Sequence, residues 1–366
     1  MLCCMNDFFA KKISSLLSHD KSFVGIDVGT STLKIIQVKT EQERAVLETY
    51  GELSTSAYTG GEAGRAMMLE DEKVSQMIVD LKKEAGATAV HGVIAIPLRY
   101  TFVTVIEMPH LSDSELSEAI PYEARKYIPI PLADVVLDWW RIPETGKEEG
   151  PQKTVSILLA AVQKDVIEKY KRILTDAKIE VSGFEIEIFS AARAVGGRFR
   201  SAYMLFDIGA LSTKIAIIDQ GIIRSVHHID RASQAFSLAI SQSLGIDFKR
   251  AEVMKRELGI VSRPESAGVR HTITPLLDSI FDEADRLRTN YRRKSGVTVD
   301  KAVLLGGGSL MPGLVDYAIE RLGIEVLLAN PFAQIEYPAF LQQSLKSIAP
   351  SFSIAVGLTL RALQER

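Results

Sequence analysis

Two stretches of the chain, 180 residues apart, share a pattern that few folds accommodate twice. The first runs Phe23-Val24-Gly25-Ile26-Asp27-Val28-Gly29-Thr30-Ser31-Thr32-Leu33-Lys34-Ile35. The second runs Met204-Leu205-Phe206-Asp207-Ile208-Gly209-Ala210-Leu211-Ser212-Thr213-Lys214-Ile215. Asp, Gly, Lys and Ile recur in register. Each copy reads as an apolar strand, a sharp turn at Asp-x-Gly, and a second strand, at 34–38 in one half and 214–219 in the other. One such turn is ordinary. Two in register, each after an apolar strand, point to two similar lobes.

The chemistry of the turn is readable. Glycine lets backbone N–H groups approach an anion closely, and neighbouring hydroxyls add donors. A carboxylate at the strand end would repel phosphate, so Asp27 and Asp207 are expected to act through a hydrated Mg²⁺. A strand follows each glycine rather than a helix, which excludes a Walker loop, and the spacing is not that of a dinucleotide fingerprint. A third cluster, Gly306-Gly307-Gly308-Ser309, follows the apolar run Ala302-Val303-Leu304-Leu305 and precedes Met311-Pro312-Gly313-Leu314. It predicts a strand, a glycine turn and a helix opened by Pro312. Glycines there would let backbone lie close to a flat ring or a phosphate.

Composition narrows the class. The 366 residues carry 43 Lys+Arg against 46 Asp+Glu, a net charge of −3, which argues against a protein that coats nucleic acid. The two cysteines, adjacent at Cys3 and Cys4, cannot build a disulfide framework and suit a reducing compartment. No apolar run approaches the roughly 20 residues that span a bilayer. Residues 1–19 lack the order of a secretory signal, because the lysines follow the apolar residues. They read as a separate N-terminal segment, with a foot on a membrane surface, a frayed terminus and a helix docked on the body as the alternatives.

Together the three glycine segments resemble the phosphate 1, phosphate 2 and adenosine motifs of the actin-like ATPase superfamily. Further stretches resemble the PilM family of type IV pilus assembly proteins. These are the run from Ser114 to Ile120 into Tyr122-Glu123-Ala124-Arg125-Lys126-Tyr127-Ile128-Pro129-Ile130-Pro131-Leu132, the Ala329-Asn330-Pro331-Phe332 segment, and the ending Ala349-Pro350-Ser351-Phe352. The chain departs from that pattern at Pro121, which implies a kink or break after Ile120, and at Leu211, where a small hydroxyl residue is common.

The resemblance implies an α/β, actin-like (ribonuclease H-like) two-lobed ATPase fold with an inserted FtsA-type subdomain. Subdomain 1A would be 20–100 and 178–198, the inserted 1C 101–177, 2A 199–235 and 299–366, and 2B 236–298. A turn at 145–150 reads as a hairpin tip. Asp27 and Asp207 would hold Mg²⁺ through water. Gly29, Thr30, Ser31, Thr32 and Lys34 would meet the phosphates from one side, and Gly209, Ala210, Ser212, Thr213 and Lys214 from the other. Gly307, Gly308 and Ser309 would face the adenosine, as would Glu252 and Lys255, which share a helix face. Glu187, nine residues before Gly196, would orient water for at most slow hydrolysis; the alternative is that Glu187 or Glu185 caps the helix.

The function so implied is that of a cytoplasmic ATP-binding scaffold, peripheral to the inner membrane through its partners. It would hold the N-terminal cytoplasmic peptide of PilN, near Tyr122, Glu123, Tyr127 and Pro129, with a nucleotide-linked change of shape. Contacts with the pilus inner-membrane complex and its motor ATPases, and a homo-oligomer, are compatible with the family. An FtsA-like filament-forming division protein and an actin-fold small-metabolite kinase are the alternatives. The adjacent His227 and His228 point to opposite faces of a strand and cannot chelate together. The basic run from Arg286 to Lys294 follows Asp278, Asp282, Glu283 and Asp285 and reads as a solvated helix.

Overall fold

A strand with no polar side needs cover on both faces, and the first strands of the two repeats obtain it from the same arrangement. The computed structural model describes residues 22–42, 44–62, 64–143, 154–196, 199 and 201–364. Cys3, Cys4 and the turn expected at 145–150 lie outside the described residues. In the first half, β1 (Ser22–Val28) pairs antiparallel with β2 (Thr32–Glu41), which pairs with β3 (Arg44–Ser54). On its other side β1 runs parallel to β4 (His91–Ile96), and β4 runs parallel to β8 (Glu180–Ile186). In the second half, β9 (Tyr203–Ile208) pairs antiparallel with β10 (Thr213–Asp219), which pairs with β11 (Ile222–Ile229). Here too β9 runs parallel to β12 (Lys301–Leu305), and β12 to β13 (Glu325–Leu328). The orders β3-β2-β1-β4-β8 and β11-β10-β9-β12-β13 are the same five-stranded plan drawn twice.

Register carries the repeat into space. Asp27 lies opposite Lys34, and Asp207 opposite Lys214. Directly opposed residues of an antiparallel pair share a face, so each aspartate has a lysine of its own hairpin beside it.

A third sheet, β5-β7-β6, is built from β5 (Thr101–Pro109), β7 (Thr154–Gln163) and β6 (Val135–Arg141). Short α1 (Ser56–Thr59) and α2 (Asp71–Glu84) link β3 to β4, and α3 (Asp113–Ala124) packs on one face of the third sheet. Ser112 and Glu115 form a capping box at the start of α3. The break expected after Ile120 does not occur, because α3 continues through Pro121 to Ala124. Proline removes one intrahelical N–H, but Leu116, Ile120 and Ala124 are all fully buried at i, i+4 and i+8 and hold both halves on the sheet.

Helix α4 (Lys164–Asp176) buries Val166, Ile167, Tyr170, Ile173 and Leu174 on its return to the first sheet. It leads through β8 to α5 (Glu187–Val195). In the second half α6 (Ser233–Leu244), α7 (Phe248–Glu257) and the long α8 (Ala267–Ser295) separate β11 from β12. The run from Arg286 to Lys294 lies on α8, with Arg286 paired to Glu283 at 2.8 Å and Arg288 to Asp285 at 2.8 Å, a helix of ion pairs.

The helix expected to open at Pro312 begins two residues later. Glycines 307 and 308 enter a 3-10 turn (Gly307–Leu310), and α9 (Leu314–Leu322) follows Gly313, whose φ is +80°. Pro312 stays in the loop because its carbonyl accepts the Ile260 N–H at 2.9 Å. The chain ends with α10 (Gln342–Ile348) and α11 (Ser353–Gln364).

One core joins the lobes. It runs from Val24 and Ile26 of β1 through Ile188 and Ala191 of α5 to Leu205 of β9 and Val303 of β12. On the far face of β9, Met204 and Phe206 pack with Phe236 of α6 and Phe281 of α8 in a separate core. Helix α5 crosses α11 so closely that a Cβ on Gly357 would lie 1.9 Å from the Ser190 carbonyl oxygen. At this crossing the buried Arg193 grips Glu185 through two bonds of 2.5 and 2.6 Å. Burial opposes the charge of Glu185, but Arg193 and Arg361 outweigh it and hold the carboxyl below its ordinary range.

The third sheet meets this core through the β6 face that carries Val136, Asp138 and Trp140. Trp140 lies 5.5 Å from Phe189 of α5, and Asp138 is buried with Oδ2 unpartnered. Burial pushes the Asp138 carboxyl up to about 6, against the Trp139 N–H and Arg361, which act to lower it. Between the ordinary value of 3.8 and 6 the folded protein therefore binds more protons than the unfolded chain, and stability falls as pH rises through that window. Asp138→Asn removes the cost. In urea denaturation the variant is expected to be more stable than the parent at pH 7.5, by on the order of 1–3 kcal/mol, and to lose that advantage near pH 4.

Candidate functional site

The two hairpin turns close in the same way. Gly29 N–H donates to the Thr32 carbonyl at 3.0 Å and Gly209 N–H to the Ser212 carbonyl at 3.1 Å. A Cβ on Gly29 would stand 2.7 Å from the Thr32 oxygen, which makes glycine obligatory there. The second turn is also pinned from behind, since the Gly209 and Ala210 carbonyls accept the Ser233 and Gln234 N–H groups at the start of α6, at 3.2 and 2.9 Å.

Both turns open on one cavity of about 450 Å³. Asp27, Gly29, Thr30, Ser31, Thr32 and Lys34 line it from the first half, and Asp207, Gly209, Ala210, Ser212 and Lys214 from the second. Glu187, Glu252, Lys255, Gly307 and Gly308, also expected from sequence, line it too. Two expected residues do not line it. Thr213 is fully buried on the opposite face of β10 from Lys214, with its hydroxyl donating to the Arg231 carbonyl at 2.8 Å. Ser309 is buried and closes its own turn on the Gly306 carbonyl at 2.7 Å. Tyr122, Glu123, Tyr127 and Pro129 lie elsewhere, on α3 and the bend after it. There Tyr122 is 70% exposed and Glu123 meets Lys126 at 2.7 Å.

The lining also includes Glu52, Arg99, Ser233, Arg256 and Pro350. Arg99 was open to discovery from sequence, because it follows the C-terminal end of an apolar strand, where ligands of parallel sheets gather. Nothing local in the sequence marks Pro350, which arrives from the far end of the chain.

Charge is concentrated on the floor. Lys214 Nζ lies 3.1 Å from Glu187 Oε2 and 3.1 Å from Asp207 Oδ2. The other oxygen of Glu187 accepts the Leu98 N–H at 2.6 Å, so this side chain turns into the cleft and does not cap α5. Glu185 faces the helix crossing instead. Burial pushes the Asp27 carboxyl up to about 7, with Glu187 and Asp207 adding to the rise and Lys34 opposing it. Asp207 is raised by burial and by Glu187 in spite of Lys214. Burial works against the charge of Lys214, but the two carboxylates outweigh it and hold its pKa above the ordinary lysine value.

Glu252 and Lys255 pair at 2.6 Å while lining the cleft, so surface pairing and cleft position are both true of them. Ser237 and Arg256 also bind Glu252, at 2.5 and 2.6 Å.

Among the described residues no three His, Cys, Asp or Glu side chains converge to hold a metal directly. Two carboxylates lining one cavity within electrostatic reach of each other, with backbone turns suited to phosphate, do fit an Mg²⁺ that keeps its waters and takes phosphate oxygens. The glycine cluster divides its work. A Cβ on Gly308 would meet Ile208 Cγ2 at 2.5 Å, and one on Gly306 the Ile208 carbonyl at 2.5 Å, whereas nothing lies within 4 Å of a Cβ on Gly307. Close packing on the end of β9 demands two of the glycines, and Gly307 alone faces open space.

A family model described as type IV pilus assembly protein PilM matches residues 25–363. The cell division protein FtsA of Bacillus subtilis (strain 168) is 21% identical over 351 residues, covering 86% of this chain and 80% of its own. Among solved structures, a PilM–PilN type IV pilus biogenesis complex superposes with a TM-score of 0.79 at 24% identity, covering 93% of this chain and 98% of that one. The ethanolamine utilization protein EutJ from Carboxydothermus hydrogenoformans follows at 0.57, with 16% identity and coverage of 97% and 95%. MreB 5 of Spiroplasma citri bound to AMPPNP gives 0.53, with 15% identity and coverage of 93% and 95%. The fold is actin-like.

The division among the glycines is testable by urea denaturation. Gly308→Ala is expected to cost about 2 kcal/mol or more as overpacking against Ile208, while Gly307→Ala stays within about 0.5 kcal/mol of the parent. Equal losses would contradict the assignment.

Proposed function

The chain belongs to the type IV pilus assembly protein PilM family, and on that premise we propose that it is an ATP-binding scaffold that holds the cytoplasmic N-terminal segment of PilN. The observation that carries this reading is the pair of in-register Asp-x-Gly hairpins opening on one cavity from two like-built sheets. Phosphates would lie between the turns. Gly29 to Thr32 offers N–H groups and three hydroxyls, and Gly209 to Ser212 offers mainly backbone. Asp27 and Asp207 would hold Mg²⁺ through water, and the metal would supply charge neutralisation of the phosphates. The adenosine would lie toward Gly307, Glu252 and Lys255. Glu187 would orient water for slow hydrolysis, with its carboxylate kept in place by the Leu98 N–H and Lys214.

The chain would divide into four subdomains, 1A at 20–100 and 178–198, 1C at 101–177, 2A at 199–235 and 299–366, and 2B at 236–298, a division that the three sheets and the helical run α6–α8 support. A nucleotide that contacts both hairpins stabilises the lobe orientation in which both reach it, so it shifts the population of shapes by its differential contacts. Helix α5 begins at Glu187 in the cleft and touches Trp140 of the third sheet through Phe189 at 5.5 Å. That contact gives a packed route from the phosphates to the subdomain that carries Tyr122, Glu123, Tyr127 and Pro129, the proposed peptide neighbourhood. Among the described residues no helix is long and apolar enough to cross a membrane, and placement at the cytoplasmic face of the inner membrane would come through the partner.

Calorimetric titration of the full chain with the PilN N-terminal peptide, with and without Mg-ATP, tests the reading. Peptide affinity that changes severalfold with ATP is expected, in keeping with coupling free energies of about 1–3 kcal/mol. ATP binding with no peptide binding under either condition would remove the scaffold role and favour a filament or kinase.

A further inference from the structure

Among the described residues five lysine and arginine side chains line the cleft, and four of them are engaged by the protein. Lys214 is held by Glu187 and Asp207, each at 3.1 Å. Lys255 and Arg256 are both held by Glu252 at 2.6 Å. Lys34 meets the Thr32 hydroxyl and lies 3.6 Å from Glu52. The fifth, Arg99, is exposed, and among the described residues it makes no hydrogen bond or ion pair. Its guanidinium rests over the Tyr100 ring, 4.9 Å from the centroid.

The backbone beneath Arg99 is fixed although its side chain is not. Arg99 occupies a 3-10 turn (Leu98–Tyr100) after Pro97, in which Leu98 N–H donates to Glu187 at 2.6 Å and the Leu98 carbonyl accepts the Thr101 hydroxyl at 2.9 Å. Through Leu98 and Glu187 the turn is tied to the end of the cavity where Asp27, Glu187 and Asp207 gather, rather than to Gly307 and Glu252. We propose that Arg99 is the residue by which this cleft distinguishes a nucleoside triphosphate from a diphosphate, its guanidinium leaving Tyr100 to take the terminal phosphate. The proposal rests on the reading of the cleft as a nucleotide site with the phosphates between the hairpins.

The physical preference is plain. An exposed contact of a guanidinium with one ring is weak, whereas a planar fork on a phosphate makes two charge-assisted bonds. A cation already committed to a buried carboxylate can move only by stranding that carboxylate, so Lys214 and Lys255 are poor candidates for the same task. Arg99 has no such tie. The terminal phosphate also brings its charge next to Glu187 and Asp27, where an added cation offsets the repulsion.

The test compares the full chain with Arg99→Gln and Arg99→Lys, each titrated calorimetrically with Mg²⁺ plus the non-hydrolysable triphosphate AMPPNP and with Mg²⁺ plus ADP. Arg99→Gln is expected to bind AMPPNP about tenfold more weakly and ADP within about twofold of the parent. Arg99→Lys should recover part of the AMPPNP affinity, because it restores the charge but not the fork. Equal losses for both nucleotides, or no loss for either, would overturn the proposal while leaving the nucleotide site standing. A parent chain that binds neither nucleotide would overturn the reading of the cleft and this proposal with it.

Discussion

Lys214 is the joint on which the cleft depends. One buried ammonium lies between a carboxylate from the first half, Glu187, and one from the second, Asp207, at the same distance from each. Without it two buried anions would face each other with Asp27 nearby. Removing one partner from such a group leaves charge uncompensated in a low-dielectric interior, typically at a cost of about 3–5 kcal/mol. The arrangement also has two sides to satisfy, because Glu187 begins α5 while its other oxygen is tied to the Leu98 N–H. The floor of the cleft is thus at once a structural crosslink between the lobes and the place where a polyanion with its metal would redistribute charge.

The two halves keep the plan and divide the labour. Each has a glycine-closed turn, an aspartate at the end of the leading strand and a lysine opposite it. The first turn carries the hydroxyls Thr30, Ser31 and Thr32. The second has Ala210 and Leu211 in corresponding places and relies on backbone, held rigid by two hydrogen bonds to the start of α6. The first turn is held as well, its Thr30 and Ser31 carbonyls accepting the Met67 and Thr55 N–H groups at 2.9 and 3.0 Å, so a hydroxyl-rich turn and a mainly backbone turn, both fixed, face one cleft.

The sequence made the repeat legible because it depends on local chemistry: apolar strands, an obligatory glycine at 29, and a lysine five residues after the glycine in both copies. Every charged residue expected at the nucleotide cleft does line the cavity. What escaped depends on long-range packing. Thr213 and Ser309 have the right chemistry in the right segments but face inward, which only the pairing of β10 and the 3-10 turn after Gly306 decides. Pro121 argues locally for a broken helix, yet three buried side chains on the third sheet override it. Pro312 looks like a helix start until Ile260, far away in sequence, takes its carbonyl. Arg99, Glu52 and Pro350 reach the cleft from separate elements, and no spacing in a linear chain brings them together.

A nucleotide gripped by both hairpins is proposed to change the subdomain that carries the proposed partner neighbourhood. Hydrogen–deuterium exchange of the full chain, with and without Mg-ATP, measures this without choosing a partner. Slowed exchange is expected at 29–34 and 209–214 together, accompanied by altered exchange in α5 and in β6 around Trp140. Protection confined to one hairpin, or protection of both with β6 unchanged, would contradict a nucleotide-linked scaffold built on this joint.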